Sequence, residues 1–483
     1  KVTSLMALLT GEQYRRTLRD GRRVFIEGQE VADVTTHPAI KPMVDAIAQI
    51  YDLQHDERYR NLFGFLTEDG EIASRVYKLP STLEDLRNRR EMTMTVLNEV
   101  SPVIDRFGDE TVTPLFVMTD RRALLDKYDT RYATNVARWI DKLQRENLFL
   151  TSGNTDPKGD RSKQPYQQID PDHYLRVVEE RDDGIIIRGA KYETGACYAH
   201  VAFVKPTVGQ WLPENRDYAV ACIVPLNSPG VRQLCRAPLA RQPNVFDRPL
   251  SARWDEIDTL IIFDSVFVPW ENVMFSRQPE LASILRQDLH NWAAQGFLVR
   301  SLAKADLLVG TALLLTEQTK LGTVPQIREK ISQLMGFRET IRAFIVASEA
   351  ECQQSQTGMV MPNQTIQNAG RVYASSNYFA MVQILRDLAG GAAVLVPDRA
   401  TMQNPELKAD IEKYYRIDQT SADARIQVLQ LASELTGSSF GGRMQAYQMF
   451  AESPPMVQAM SLYSTFDRTG SMNRARRVLG MNA

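Results

Sequence analysis

The stretch Asp247 to Val273, DRPLSARWDEIDTLIIFDSVFVPWENV, changes its periodicity midway, and that change constrains what the whole chain can fold into. Thr259 to Phe263 and Val266 to Val268 are apolar runs rich in β-branched and aromatic side chains, set between charged and turn-forming residues, which predicts two pieces of strand. Pro269 has no amide hydrogen to give a ladder, so sheet pairing stops there. From Leu281 onward the apolar spacing is helical for most of the remaining sequence. A β unit therefore hands over to a helical one near this stretch.

A chain of 483 residues is too long for one compact core and predicts two or three packed units of a soluble globular protein. The formal charge of -2, with both signs interspersed, offers no general basic surface for nucleic acid. Cys197, Cys222, Cys235 and Cys352 lie far apart with no CxxC pair, so neither a zinc site nor a disulfide framework is indicated, and reduced, mostly buried thiols are expected. No signal-peptide pattern opens the sequence and no apolar run reaches the length of a membrane span, which leads us to expect a cytoplasmic protein with no membrane partner.

Read in order, residues 1–146 form a mainly helical unit. Thr10 is a candidate N-cap and Gln13 can complete a capping box, with Gly21 ending that segment. Arg23 to Ile26 and Gln29 to Val34 flank the turn signal Glu27-Gly28, and Thr35-Thr36-His37-Pro38 opens the next helix. Helices are predicted over Ile40 to Leu53, Ser81 to Val100 and Asp120 to Glu146. A central unit, 147–273, begins with the loop Gly153 to Ser162, whose glycines, proline and short polar residues favour turns over a ladder. Strand candidates follow at Leu175 to Glu180, Gly184 to Tyr192, His200 to Val204 and Tyr218 to Pro225, predicting an antiparallel β unit. Residues 274–483 then carry long amphipathic helices at Leu302 to Thr319, Val324 to Gln353, Thr365 to Leu388 and Ala422 to Leu435, lengths that suit a bundle.

The order helices, small β unit, helical bundle resembles the α+β acyl-CoA dehydrogenase-like flavoproteins. A finer resemblance lies in phrases spread along the chain: Thr10-Gly11-Glu12-Gln13-Tyr14, Asp20-Gly21-Arg22, Asp33 to Pro38, Asp183 to Lys191, Pro249 to Glu256, Val268 to Val273 and Gly437 to Arg443. Together they are similar to the 4-hydroxyphenylacetate 3-hydroxylase family, the oxygenase components of two-component flavin monooxygenases, with chlorophenol and nitrophenol monooxygenases as relatives. The resemblance implies reduced FAD delivered by a separate reductase, dioxygen, a flavin C4a-hydroperoxide, and oxygen transfer to a phenolic or other aromatic small molecule. It also implies a homotetramer built through the bundle. Chemistry of this kind demands a cleft that keeps water from the oxygenated flavin and a group that favours the phenolate.

The same resemblance marks candidate site residues. Thr155 and Arg161 match the segment that wraps the flavin, and Thr194-Gly195 matches a threonine position near it, with a spacing from Gly189-Ala190-Lys191 one residue shorter than in the relatives. Gly441, Gly442 and Arg443 follow a predicted helix end where paired glycines let backbone approach a ligand. Gly390 and Gly391 are a second such pair, assigned to the adenine end of FAD across a subunit boundary. Arg106 matches an arginine that reaches the phenol oxygen, although Glu110 stands where a tyrosine would and a salt-bridged surface role fits as well. Ala294 to Gly296 occupy the place of a histidine base, leaving His290, one turn earlier, as the substitute, whereas His200 fits a strand core or edge. No metal site is expected. An acyl-CoA dehydrogenase-like dehydrogenase and a catalytically degenerate flavin-binding homologue are the alternatives. An iron-sulfur dehydratase of the 4-hydroxybutyryl-CoA type is rejected because no cysteine precedes Cys197. Arg253, Asp255 and Glu256 are expected to join the β unit to the bundle.

Overall fold

The computed structural model describes residues 8–103, 110–207, 211–240, 244–450 and 453–481. Thr259 to Phe263 and Val266 to Val268 belong to a single 12-residue strand, Asp258–Pro269, rather than two. Asp264 and Ser265 form a bulge: the pairing with Gly184–Thr194 shifts between Phe263 and Val266, and Ser265 takes a φ of 55°. Opposite Phe263 stands Gly189 at φ 125°, where an added Cβ would meet the Leu175 Cα at 2.5 Å, so only glycine fits. Pro269 does end pairing in that sheet, but Val273–Phe275 then enters a second one.

The first sheet has six strands in the order Gln29–Glu30, Val24–Ile26, Val231–Cys235, Asp258–Pro269, Gly184–Thr194, Arg176–Glu180. The second has four, in the order Val273–Phe275, Ala221–Pro225, Val201–Val204, Leu150–Gly153. Two pairs depart from the antiparallel expectation: Val24–Ile26 runs parallel to Val231–Cys235, and Leu150–Gly153 parallel to Val201–Val204. Both arise because strands contributed from the N-terminal side dock onto sheets built later in the chain. The N-terminal hairpin is thus an edge of the central sheet.

The helix expected over Asp120 to Glu146 is two helices, Arg122–Tyr128 and Thr130–Glu146, and a further one, Thr113–Asp120, ends where it was expected to begin. Asp129 breaks the run: its backbone is extended and its carboxylate accepts from the Arg131 amide at 2.9 Å, an N-cap that restarts the helix. The helix after Thr35 to Pro38 begins at Lys41. Leu302 to Thr319 is the second half of a 41-residue helix, Pro279–Thr319, whose first half carries buried Gln295 and Arg300 among its apolar residues. Pro325–Ala350, Gln364–Ala389 and Ala422–Thr436 pack with it into the predicted bundle, followed by Ser439–Phe450, Pro455–Thr465 and Thr469–Val478. The Thr10–Gln13 capping box is present. No helix among the described residues is long and apolar enough to cross a membrane. All four cysteines are free, with Cys197 and Cys222 buried.

One apolar core runs from the N-terminal helices through both sheets into the bundle. Glu434, on Ala422–Thr436, fastens the join: its carboxylate accepts from the Leu250 amide at 2.6 Å, the Ser251 amide at 3.1 Å and the Ser251 hydroxyl. Arg253 donates twice to the Pro249 carbonyl (3.0 and 2.8 Å), and its contribution to the join is electrostatic, through the Glu434 charge.

His200 is a structural link between the N-terminal helix and the second sheet. Its Nδ1 accepts from the Phe149 amide (2.7 Å), so the proton sits on Nε2, which donates to Thr17 Oγ1 (2.7 Å), and that hydroxyl donates to the Tyr14 carbonyl (2.6 Å). Burial, aided by the nearby Arg22 guanidinium, pushes the imidazole pKa from 6.5 down to about 3. Between those values the unfolded chain binds a proton that the folded chain refuses. Stability is therefore full above pH 6.5 and declines as pH falls toward 3, by at most about 1.4 kcal/mol per pH unit for this one proton. Urea unfolding across that window should show the slope, and His200→Gln should flatten it.

Candidate active site

A cavity of about 360 Å³ opens where the two sheets meet the long helix and the first C-terminal helix. The six-stranded sheet gives it Tyr192, Glu193, Thr194 and Asp258, the four-stranded sheet Ser152 and, just past its strand ends, Asn154 and Lys205. Leu289, His290 and Ala293 enter from one face of Pro279–Thr319, Tyr447 and Phe450 from one face of Ser439–Phe450, and Thr111 and Thr113 from the helical unit. Thr155 completes the wall, fastened to Tyr192 by a two-way backbone bridge (Thr155 N to Tyr192 O 3.2 Å, Tyr192 N to Thr155 O 2.6 Å). The volume and the mixture of apolar surface with a few convergent polar groups are those of a small-molecule site.

Its floor is an ionic clamp on Asp258. Arg443 donates to that carboxylate twice (2.7 and 2.6 Å), Arg236 once (2.8 Å), and the Thr194 hydroxyl once (2.8 Å). Arg443 also reaches Glu256 at 3.2 Å and lies 5.5 Å from the Tyr447 ring centroid. Arg236 donates in addition to Asp255 at 2.5 Å. Although burial opposes it, the two guanidinium groups hold the Asp258 carboxyl far below the usual carboxylate range. Glu256 therefore serves the join between sheet and bundle that was expected of it, through Arg443, whereas Asp255 pairs with Arg236 and the Leu239 amide inside the β unit.

Thr155, Thr194 and His290 are brought together on the cavity wall. Gly195 follows directly at φ 79°, a conformation that glycine adopts without strain, and an added Cβ would meet the Tyr198 hydroxyl at 2.9 Å. Arg443 stands behind Asp258 rather than on the lining. Gly441 lies inside Ser439–Phe450, where a Cβ would meet the Glu434 carbonyl at 2.6 Å: it lets that helix pack on the end of its predecessor. Gly442 has open space around it, and neither glycine lines the cavity. Arg161 is exposed, and Gly390 and Gly391 lie at the exposed end of Gln364–Ala389, all three away from the cavity in the single chain. Arg106 falls outside the described residues. No group of metal-ligating side chains suited to an ion occurs among the described residues.

Sequence reading missed Ser152, Lys205, Asp258 and Tyr447. Lys205 had one signal, a cation closing an apolar strand run, and Asp258 another, an acid opening one. Neither signal says which side chains will face each other.

The architecture, helical unit, central sheets and long-helix bundle, is that of the acyl-CoA dehydrogenase-like α+β class: butyryl-CoA dehydrogenase from Megasphaera elsdenii superposes with a TM-score of 0.50 at 12% identity, which bears on the fold alone. Within that class the chain belongs to the 4-hydroxyphenylacetate 3-hydroxylase family, whose N-terminal model matches residues 10–275 and whose C-terminal model matches 284–480. It is 30% identical over 491 residues to the oxygenase component of 4-nitrophenol 4-monooxygenase/4-nitrocatechol 2-monooxygenase from Rhodococcus opacus, covering 98% of this chain and 91% of the relative. It is 28% identical over 474 residues to the 4-hydroxyphenylacetate 3-monooxygenase oxygenase component of Thermus thermophilus, covering 97% of each. The crystal structure of an oxygenase component of 4-hydroxyphenylacetate 3-monooxygenase complexed with FAD superposes with a TM-score of 0.90 at 28% identity over 98% of both chains.

The clamp predicts strong coupling between Arg443 and Asp258. Thermal and urea unfolding of Arg443→Met, Asp258→Asn and the double variant should give a coupling energy of about 1.5–3 kcal/mol. Additive single effects would mean that the contact does not hold the floor together.

Proposed function

We propose that this chain is the oxygenase component of a two-component monooxygenase: it takes reduced FAD from a separate reductase and oxygenates a phenolic or other aromatic small molecule with dioxygen. The observation that carries the reading is the cavity at the sheet–bundle junction, in a chain that superposes along its length on an FAD-bound family member. The wall fits a flavin ring. Hydroxyl and amide groups of Ser152, Asn154, Thr155 and Thr194 supply neutral hydrogen-bonding partners for its polar edge, and Leu289, Ala293 and Phe450 supply apolar surface for its faces and for an aromatic substrate. Reduced FAD, when bound, supplies the two electrons with which dioxygen gives one atom to the ring and the other to water.

The protein's own contributions are binding, orientation and exclusion of water. Thr194 and Thr155 would sit at the flavin edge, with Arg443 acting through Asp258 to keep that wall in place. Arg161, Gly390, Gly391 and Gly442 remain assigned to FAD contacts by resemblance, Gly390 and Gly391 across a subunit boundary, whereas Gly441 is taken up by helix packing. A homotetramer is part of the reading, supported by Leu313, Leu314, Met335, Val346 and Phe379 standing exposed on the long helices of the bundle. The cytoplasm and a reductase met by diffusion of reduced flavin complete it.

Mixing anaerobic reduced FAD and protein with oxygenated buffer should release hydrogen peroxide at least about tenfold more slowly than free reduced flavin does, because the site shields the oxygenated cofactor from water. Equal rates overturn the reading. Arg106→Ala should lower product formation from added phenols and leave that shielding intact; loss of both would remove Arg106 from the substrate role. Light scattering should give four chains per particle.

A further inference from the structure

Lys191 is 1% exposed and Asp156 6%, and the two side chains pair at 2.6 Å, Nζ to Oδ1, where the two sheets approach each other. Gly153 sets the path of the lysine. A Cβ there would meet the Val204 Cγ2 at 3.1 Å and the Lys191 Cβ at 3.6 Å, so the glycine leaves the room in which Lys191, from the first sheet, reaches past the end of the second. Strand register brings two segments to that end. Leu150–Gly153 pairs in parallel with Val201–Val204, Gly153 opposite Val204, and the Lys205 amide donates to the Gly153 carbonyl at 3.1 Å, so Asn154 and Lys205 leave the sheet side by side. Asp156 then joins the outgoing segments, because its second oxygen, Oδ2, accepts from the Thr207 hydroxyl. Asn154, Thr155 and Lys205, the neighbours of Asp156 and Thr207 on these segments, all line the cavity, while Asp156 itself stands behind the lining. The ion pair also lies directly beside the backbone bridge between Thr155 and Tyr192, so side chains and main chain fasten the loop at one place.

An ion pair withdrawn from water adds little stability over an apolar pair of similar volume. What this one supplies is placement, since charge-assisted hydrogen bonds fix direction and length in a way that apolar contact does not. On the monooxygenase reading, we propose that Asp156, backed by Lys191, is a positioning residue for reduced flavin: through Thr207 it holds the segment after Val204 against the loop that bears Thr155, and so keeps closed a wall that binds the flavin edge and excludes water. Its action is indirect. One carboxylate oxygen anchors the Thr155 loop to the six-stranded sheet, and the other draws in the facing segment, so the spacing between the two follows from a single side chain.

The cleanest variant is Thr207→Val, which keeps the side-chain shape and the buried ion pair and deletes only the hydroxyl donor. Anaerobic calorimetry of the full-length protein with reduced FAD gives the dissociation constant directly, and peroxide release on mixing the saturated complex with oxygenated buffer reports exclusion of water. Thr207→Val should raise the dissociation constant by about tenfold, the scale of one lost hydrogen bond to a charged group, and speed peroxide release, with the melting temperature unchanged. Thr207→Ser, which retains the hydroxyl, should restore both. Should Thr207→Val fail to fold by circular dichroism, Asp156→Ala combined with Lys191→Met serves the same comparison: it removes both buried charges together and should melt above Lys191→Met alone, which leaves the Asp156 charge without its cation. Wild-type affinity and peroxide release in folded Thr207→Val overturn the inference and leave the monooxygenase reading standing. So does a loss of binding that only tracks loss of folded protein, since a merely structural pair acts in that way. Wild-type protein that neither binds reduced FAD nor slows peroxide release overturns the monooxygenase reading and the inference with it.

Discussion

Asp258 is the point through which sheet and bundle are fastened. Asp258 begins the central strand of the six-stranded sheet, and its carboxylate is shared by Arg236, just past the end of the neighbouring strand, Arg443, from a C-terminal helix, and the Thr194 hydroxyl. Three segments far apart in sequence are thereby held at one place. Four charge-assisted or polar donors on one carboxylate offset the cost of enclosing it, a balance that fails when one partner is removed and the other charge is left behind. Because Asp258 and Thr194 are themselves cavity wall, the contact that ties the units together also sets the shape of the site.

The long helix Pro279–Thr319 works from the other side. Its first half carries Leu289, His290 and Ala293 into the cavity, and one turn later Gln295 donates to Glu349 at 2.9 Å, while Arg90 pairs with that same glutamate. Burial raises the Glu349 carboxyl above its ordinary range, opposed by Arg90 and the Gln295 hydrogen bond. The helix is thus tethered to both the N-terminal unit and the next bundle helix within two turns of the site. A site between rigid elements has the preorganisation that reactive cofactor chemistry needs.

Much of the architecture was legible because local chemistry and global packing agree. The Thr10 capping box, the Gly184 to Tyr192 strand and the long amphipathic helices each follow from neighbours a few residues away. The misses have physical causes of the same scale. A bulge at Ser265 kept one strand whole where its polar pair suggested two, and the Asp129 cap split a helix that apolar spacing alone would continue. The parallel strand pairs could not be read from periodicity, since an alternating strand carries no mark of its partner's direction.

Within the candidate site, sequence alone determined the family, the helix–sheet–bundle order and the placement of Thr194 and Gly195 at a strand end, because phrases and periodicities are written in consecutive residues. Tertiary structure alone decided that Asp258 meets Arg443, that Lys205 emerges beside Asn154, and that Gly441 serves helix packing. Those relations join residues separated by as many as 185 positions, and they depend on strand register and helix phase, which are settled only when the elements pack.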